Sequence, residues 1–472
     1  MSLRTLLSAL FVLAALHQAA GETAGPAYFG PDTPIERLRL TYRGDPKRPV
    51  AMNMTLILPE GPGPFPLVVL NHGSSLKKSE NDLKDFDRHL LIYYFLGRGY
   101  AVALPFMRGY GGSSGKLTHP NTCRLDAMAQ DNAQDIMAAV DHLAKFPRVD
   151  TSRVIMVGGS LGGWNALAVG SLNDPRVKVI VNFYGGIRYS GCHAGDEALR
   201  QGARQFGRTS RTPSIWFYGD NDQIFPKPVF EAMYRAYVDE GGQAERVAYG
   251  PFGADSHLLL SDPDAARVYA PRLEAFLSQR GLPTRITHPQ YVPLPPPPAT
   301  HYAAIEDVDA VPFLDAKNRD AYRAFLKAPL PRAFFIIGHK GSIALDKGYD
   351  PLARGYKICR ENGLECWLYA VNDTVVWSDP RPRLPATAFA HYDDASAIPY
   401  IDGKGRAGYE AFLKLPRPKA FVIAPNGAWM LASGERDAVG VAMERCSRGQ
   451  SGCKPYAVDG SVVWPEKAST LH

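Results

Sequence analysis

The chain has 472 residues, 45% of them hydrophobic and 21% charged, which allows two to four domains with full cores and excludes wholesale disorder and collagen-like architecture. With 53 Lys and Arg against 47 Asp and Glu the formal charge is +6, a mild excess. No run of Lys or Arg marks a nucleic-acid-binding arm, so no nucleic-acid partner is expected.

The first predicted element is a targeting segment. Arg4 precedes the apolar stretch LLSALFVLAAL, and Ala19, Ala20 and Gly21 follow as small residues suited to cleavage. Residues 1–21 read as a secretory signal peptide, too short to span a bilayer. Its removal takes away one positive charge, from +6 to +5. An exported protein, periplasmic or secreted, is expected, with its cysteines in an oxidising compartment.

Residues 22–283 alternate short apolar runs with helical stretches. VAMNMTLIL (50–58) alternates as a half-buried strand does. LVVLNHG, YAVALPF, VIMVGG, VKVIVNF and SIWFYGD are short apolar runs rich in β-branched or aromatic residues, three of them ending in Gly or Asp. They read as buried parallel strands. Residues 125–145 form the clearest helix, and others follow Ser160, Lys227 and Asp264. This alternation predicts an α/β class with a doubly wound, mostly parallel sheet.

HPQYVPLPPPP (288–298) interrupts the pattern, so residues 284–300 read as a stiff Pro-rich linker. Beyond it the sequence repeats itself at an offset of 87 residues: VPFLD returns as IPYID, AYRAFLK as GYEAFLK, LYAVNDTVVW as PYAVDGSVVW. Over 311–337 against 398–424, 14 of 27 positions are identical. Residues 301–378 and 391–472 are thus two copies of a small α+β unit. Each copy is expected to carry a helix, an apolar strand near 333–338, a second helix near 352–361, and a terminal strand, WLYAVNDTVVW in the first copy.

Both copies keep a Cys-x6-Cys spacing, Cys359 with Cys366 and Cys446 with Cys453. Two local disulfides are expected. No histidine or second cysteine pair keeps a fixed spacing to both, so no metal site is expected. The remaining pair, Cys123 and Cys192, is available for a third bridge.

The motif that carries chemistry is Gly158-Gly159-Ser160-Leu161-Gly162, between the strand VIMV and a helix. In that context G-x-S-x-G is a nucleophile elbow: glycines at 158 and 162 relieve a tight turn that pushes the serine hydroxyl out, and the helix N-terminus lies beneath a forming oxyanion. A serine hydroxyl requires a base and an orienting acid, which follow it in the order acid then histidine. His257, in FGADSHLLL, is the candidate base, and Asp222, in GDNDQIFP, the candidate acid, with Asp220 as the fallback. His193 breaks the order. The oxyanion donors are expected to be the backbone N–H groups of Leu161 and Ser74, with His72 structural. Arg108, Tyr110 and Trp164 are candidate substrate-binding residues, and residues 113–124 an overhanging loop. No cofactor is expected.

NHG (71–73), PFMRGYGGSSG (105–115), GGSLGG (158–163), GDNDQIFP (219–226) and GADSH (253–257) occur in this order, and together they make residues 35–282 resemble the α/β-hydrolase superfamily. The likeness is to its dienelactone hydrolase-like and prolyl-oligopeptidase-like branches. The resemblance implies acyl transfer to water through an acyl-serine. The chain departs from true dienelactone hydrolases, which carry Cys where Ser160 stands, and lacks the β-propeller of large prolyl peptidases. Cleavage of a small-molecule or polymer ester is the expected activity, with a serine peptidase or amidase as the second reading. A third reading is an inactive domain whose repeats bind. The repeats resemble small cysteine-containing modules of exported bacterial proteins, and are expected to act as spacers or to bind an envelope or extracellular polymer.

Overall fold

The computed structural model describes residues 35–74, 90–117, 123–189, 191–262, 264–338, 341–346, 348–378 and 384–465. The expected signal peptide lies outside the described residues, as do residues 118–122 of the expected overhanging loop. The chain falls into two compact units, divided between Pro293 and Leu294.

The first unit is built on an eight-stranded sheet in the order β1-β2-β4-β3-β5-β6-β7-β8. Its strands are β1 (Glu36–Arg43), β2 (Ala51–Leu58), β3 (Phe65–Asn71), β4 (Ala101–Pro105), β5 (Val149–Gly159), β6 (Val177–Phe183), β7 (Ser214–Tyr218) and β8 (Ala244–Ala248). β2 runs antiparallel to β1 and β4; every pair from β4–β3 to β7–β8 is parallel. β3 and β4 are buried along their whole length, so their sequences are continuous apolar runs. β2 is more buried than its alternation implied: only Ala51 and Asn53 reach solvent, because the strand lies inside the sheet. β1, ERLRLTYR, is an edge strand the sequence reading passed over. Its Leu38, Leu40 and Tyr42 alternate with Arg37, Arg39, Thr41 and Arg43 as a half-buried strand does, and the arginines blunt the edge against further pairing.

The helices of this unit are α1 (Leu90–Leu96), α2 (Leu125–Leu143), α3 (Leu161–Gly170), α4 (Gly195–Thr209), α5 (Lys227–Asp239) and α6 (Ala265–Ser278). α3, which follows the serine, is buried at every position. A Cys123–Cys192 disulfide joins the approach to α2 to the approach to α4. Residues 284–293, expected as linker, belong to this unit. The Thr287 N–H donates to Gly97 O at 2.9 Å, and the buried Tyr291 hydroxyl accepts from Glu60 N at 3.1 Å.

The second unit holds two four-stranded antiparallel sheets, β10-β9-β11-β12 and β14-β13-β15-β16. In the first copy α7 (Ala316–Lys327) precedes β9 (Arg332–Ile337) and β10 (Gly341–Asp346); α8 (Pro351–Glu361), β11 (Cys366–Val371) and β12 (Thr374–Val375) follow. The second copy repeats the order with α9 (Gly403–Leu413), β13 (Lys419–Ile423), β14 (Trp429–Ser433), α10 (Ala438–Ser447), β15 (Lys454–Val458) and β16 (Ser461–Val462). The duplication extends to individual bonds. Asp315 and Asp402 cap α7 and α9 at 2.9 Å each. Tyr322 donates to Ile305 O at 2.7 Å, and its counterpart Tyr409 to Tyr392 O at 2.6 Å. Disulfides 359–366 and 446–453 tie each second helix to the strand after it. The terminal segment is a hairpin rather than one strand: Asn372 and Asp459, at φ 52° and 54°, turn the chain, a conformation Asn and Asp tolerate better than other non-glycine residues.

Candidate active site

Registry brings the site together at the carboxyl edge of the large sheet. Gly159 at the end of β5 pairs with Phe183 at the end of β6, and Phe183 pairs with Phe217 near the end of β7. Ser160 follows β5, Tyr184 follows β6, and the Asp222 loop follows β7.

Ser160 stands between β5 and α3 at φ 55°, ψ −126°, a strained backbone for a residue with a side chain. The turn is possible because two glycines flank it. A Cβ at Gly158 would lie 2.2 Å from the carbonyl carbon of Gly162, and one at Gly162 would lie 2.0 Å from Asn71 O. Three backbone bonds hold the bend. The Ser160 N–H donates to Phe183 O at 3.1 Å, and Ser160 O accepts from Trp164 N and Gly186 N, each at 3.1 Å.

Asp222 is buried, and its Oδ1 accepts the N–H groups of Ile224 and Phe225, both at 2.8 Å. His257 Nδ1 lies 3.0 Å from Asp222 Oδ2 and 3.2 Å from Oδ1. An ionised carboxylate only accepts, so Nδ1 carries the proton and Nε2 keeps a free lone pair. Asp220 is exposed and bound to Lys227 at 3.0 Å. The structure thus pairs the imidazole with Asp222 and not with the fallback.

His257 sits in a short 3-10 helix, Ser256–Ser261, and its ring packs on Tyr184 and Phe225, with centroids 4.7 and 5.5 Å away. Tyr184 is also the neighbour of the elbow: a Cβ at Gly159 would stand 3.2 Å from its hydroxyl. Among the described residues Ser160 forms no hydrogen bond to the imidazole. Such bonds are often long in ligand-free sites and tighten on substrate binding.

Two residues that the sequence reading passed over clasp the acid and histidine loops. Asp255 Oδ1 accepts from His257 N and Gln223 N, each at 3.0 Å. Asn221 donates to Gly253 O at 3.0 Å, accepts from Phe252 N at 3.0 Å, and accepts the Ser256 hydroxyl. Their signal was in plain sight, as the polar residues beside the two candidates in GDND and GADSH.

The loop after β3 runs beside the serine. A Cβ at Gly73 would stand 3.3 Å from Ser160 Cβ. Ser74 follows it at the surface, and Leu161 opens α3. His72 is buried beneath this loop. The Met107 N–H donates to His72 Nε2 at 3.0 Å, so the other nitrogen, Nδ1, carries the proton and donates to Gly73 O at 2.8 Å. Both ring nitrogens are spent on backbone, which makes His72 a brace. Burial lowers its pKa from 6.5 to about 4, against a smaller opposing effect of the Gly73 carbonyl. The unfolded chain therefore takes up a proton that the folded chain refuses. The stability this contributes is fully present above pH 6.5 and is lost as pH falls toward 4, amounting to roughly 3 kcal/mol at the acid end. Melting temperatures at pH 7 and pH 4.5 should therefore fall further in the wild type than in His72→Gln. Equal falls would remove His72 from the account.

All three candidate substrate residues are buried. The Arg108 guanidinium is buried and spent on Asp135, at 2.7 and 2.8 Å, and on Arg48 O at 2.7 Å. It ties the loop after β4 to α2. Trp164 is wholly buried, donates to Leu125 O at 2.9 Å and packs on Phe206. It is core, because the elbow helix is inside the molecule. Tyr110 is buried with its ring 5.1 Å from that of His72.

The parallel sheet with its serine elbow defines the class of fold: the first unit has the α/β-hydrolase fold. Residues 49–203 match the model of the X-Pro dipeptidyl-peptidase (S15) family, a stretch that includes Ser160 and ends before Asp222 and His257. Among solved structures the chain is similar to an acylaminoacyl peptidase from Pyrococcus horikoshii, at 16% identity and TM-score 0.41, over 54% of this chain and 43% of that one. It is similar to an acetyl xylan esterase from Paenibacillus sp. R4, at 20% identity and TM-score 0.36, over 52% and 88%. A third similarity is to an esterase from Pyrococcus furiosus, at 13% identity and TM-score 0.38, over 55% and 100%. The chain spans less than half the length of the acylaminoacyl peptidase. No curated protein matches it.

Proposed function

We propose that the first unit is a serine hydrolase cleaving a carboxylic ester through an acyl-serine intermediate. The observation that carries this reading is the Asp222–His257 pair, which leaves Nε2 free on a loop that meets the serine elbow through Tyr184. In this mechanism Nε2 takes the Ser160 proton as Oγ attacks the ester carbonyl carbon. The carbonyl oxygen becomes an oxyanion, received by the N–H groups of Leu161 and Ser74. His257 then protonates the departing alcohol. A water, deprotonated by the same nitrogen, releases the acid and restores Ser160. Asp222 holds the tautomer and stabilises the imidazolium.

A peptidase or amidase on the same residues is the second reading, and the match to the X-Pro dipeptidyl-peptidase model favours it. The test is a panel of p-nitrophenyl esters against aminoacyl- and X-Pro-anilides. The ester reading expects turnover of the esters and kcat/KM for anilides lower by a factor of at least about 100. Faster anilide turnover would transfer the assignment to the peptidase. Export rests on residues 1–21 together with the pairing of all six cysteines, and is part of the proposal.

A further inference from the structure

Residues 184–188, Tyr-Gly-Gly-Ile-Arg, leave the end of β6 and touch the surroundings of all three proposed catalytic side chains. The first contact is with the elbow, where the Gly186 N–H donates to Ser160 O at 3.1 Å. The second is with the imidazole: Tyr184, at φ 38°, lays its ring 4.7 Å from that of His257. The third is with the acid loop. Arg188 donates through Nε and Nη2 to Ile224 O at 3.1 and 2.9 Å, and its guanidinium stands 5.3 Å from the Phe225 ring centroid. Ile224 and Phe225 are the residues whose N–H groups hold Asp222.

The two glycines let this segment pass. A Cβ at Gly185 would lie 2.8 Å from the carbonyl carbon of Gly163 in α3, and one at Gly186 would lie 2.6 Å from the Phe225 ring. The segment is therefore wedged between the elbow helix and the acid loop. Its outer end is fastened twice, by Arg188 pairing with Asp196 and by the Cys192–Cys123 bridge.

We propose that residues 184–188 are the positioning element of the site, with Arg188 setting the Asp222 loop and Tyr184 the imidazole against Ser160. Both act through Asp222 and His257, and the proposal rests on the serine-hydrolase reading. A displacement of about 1 Å in a reacting group can cost a factor of 100, while a substrate that meets the serine and its aromatic surroundings binds as before.

The test uses the full chain with Arg188→Ala and Arg188→Lys, measuring kcat and KM on a p-nitrophenyl ester, the rate of phosphonylation by a fluorophosphonate, and the melting temperature. Arg188→Ala should lose 10- to 100-fold in kcat and in phosphonylation rate, with KM within twofold and the folded fraction unchanged at assay temperature. Arg188→Lys, which keeps a cation and one donor for Ile224 O, should recover most of that loss even if the alanine variant folds poorly. Unchanged kcat, or a loss that follows the folded fraction alone with no recovery by lysine, would overturn the positioning role. A wild type that neither turns over nor reacts with the probe would overturn the serine-hydrolase reading instead.

Discussion

Ser160→Ala is expected to lower kcat on ester substrates by about 10⁴-fold or more, with the melting temperature nearly unchanged. The effect is large because, in the proposed mechanism, the acyl group is transferred to this oxygen before it reaches water. Without it the imidazole has no proton to take, and what remains is the oxyanion donors and binding. The fold should tolerate the change. The bonds that hold the bend are made by the Ser160 backbone, to Phe183, Trp164 and Gly186, and alanine keeps them. Activity that survives in the purified alanine variant would place the nucleophile elsewhere.

Gly162→Ala should act on stability rather than chemistry. Its Cβ would stand 2.0 Å from Asn71 O, 2.6 Å from the Asn71 carbonyl carbon and 2.8 Å from His72 O. All are backbone atoms of β3 and the loop after it, and cannot swing aside as a side chain would. Accommodating the methyl means pushing α3 off the sheet, at a cost of about 3 kcal/mol or more, or about 6 °C or more in melting temperature. Thermal unfolding of the variant checks this. A melting temperature within 1–2 °C of wild type, roughly the shift from half a kcal/mol, would mean the elbow is looser than described.

The elbow was legible in sequence because its cause is local: a strand, a glycine at 158, a serine, and a glycine at 162 define one steric problem. The α/β class was legible for the same reason, since β3 and β4 advertise burial on both faces through unbroken apolar runs. Edges were not. β1 alternates apolar and polar residues and β10 has only one neighbouring strand, so neither carries the unbroken apolar run of a strand buried on both faces. The terminal hairpins were legible but read through: Asp459-Gly460 and Asn372-Asp373 are turn dipeptides between apolar runs. Sequence leaves Arg108 and Trp164 open between core and pocket because their partners, Asp135 and Leu125 O, are named by the fold and not by neighbouring sequence. Tyr184 and Phe225 are legible as possible aromatic walls of the pocket, but the contacts of residues 184–188 are not, for a related reason. Their contacts reach the elbow, the acid loop and the histidine loop, and nothing in Tyr-Gly-Gly-Ile-Arg announces three distant partners.

The central claim is that the Ser160 hydroxyl is made nucleophilic by His257. Its most direct test is to treat the full chain with a fluorophosphonate and locate the adduct by peptide mass spectrometry. The account predicts one adduct, on the peptide containing Ser160, absent in Ser160→Ala and formed far more slowly in His257→Ala. Labelling of a different serine, or equal labelling rates with and without the imidazole, would contradict it.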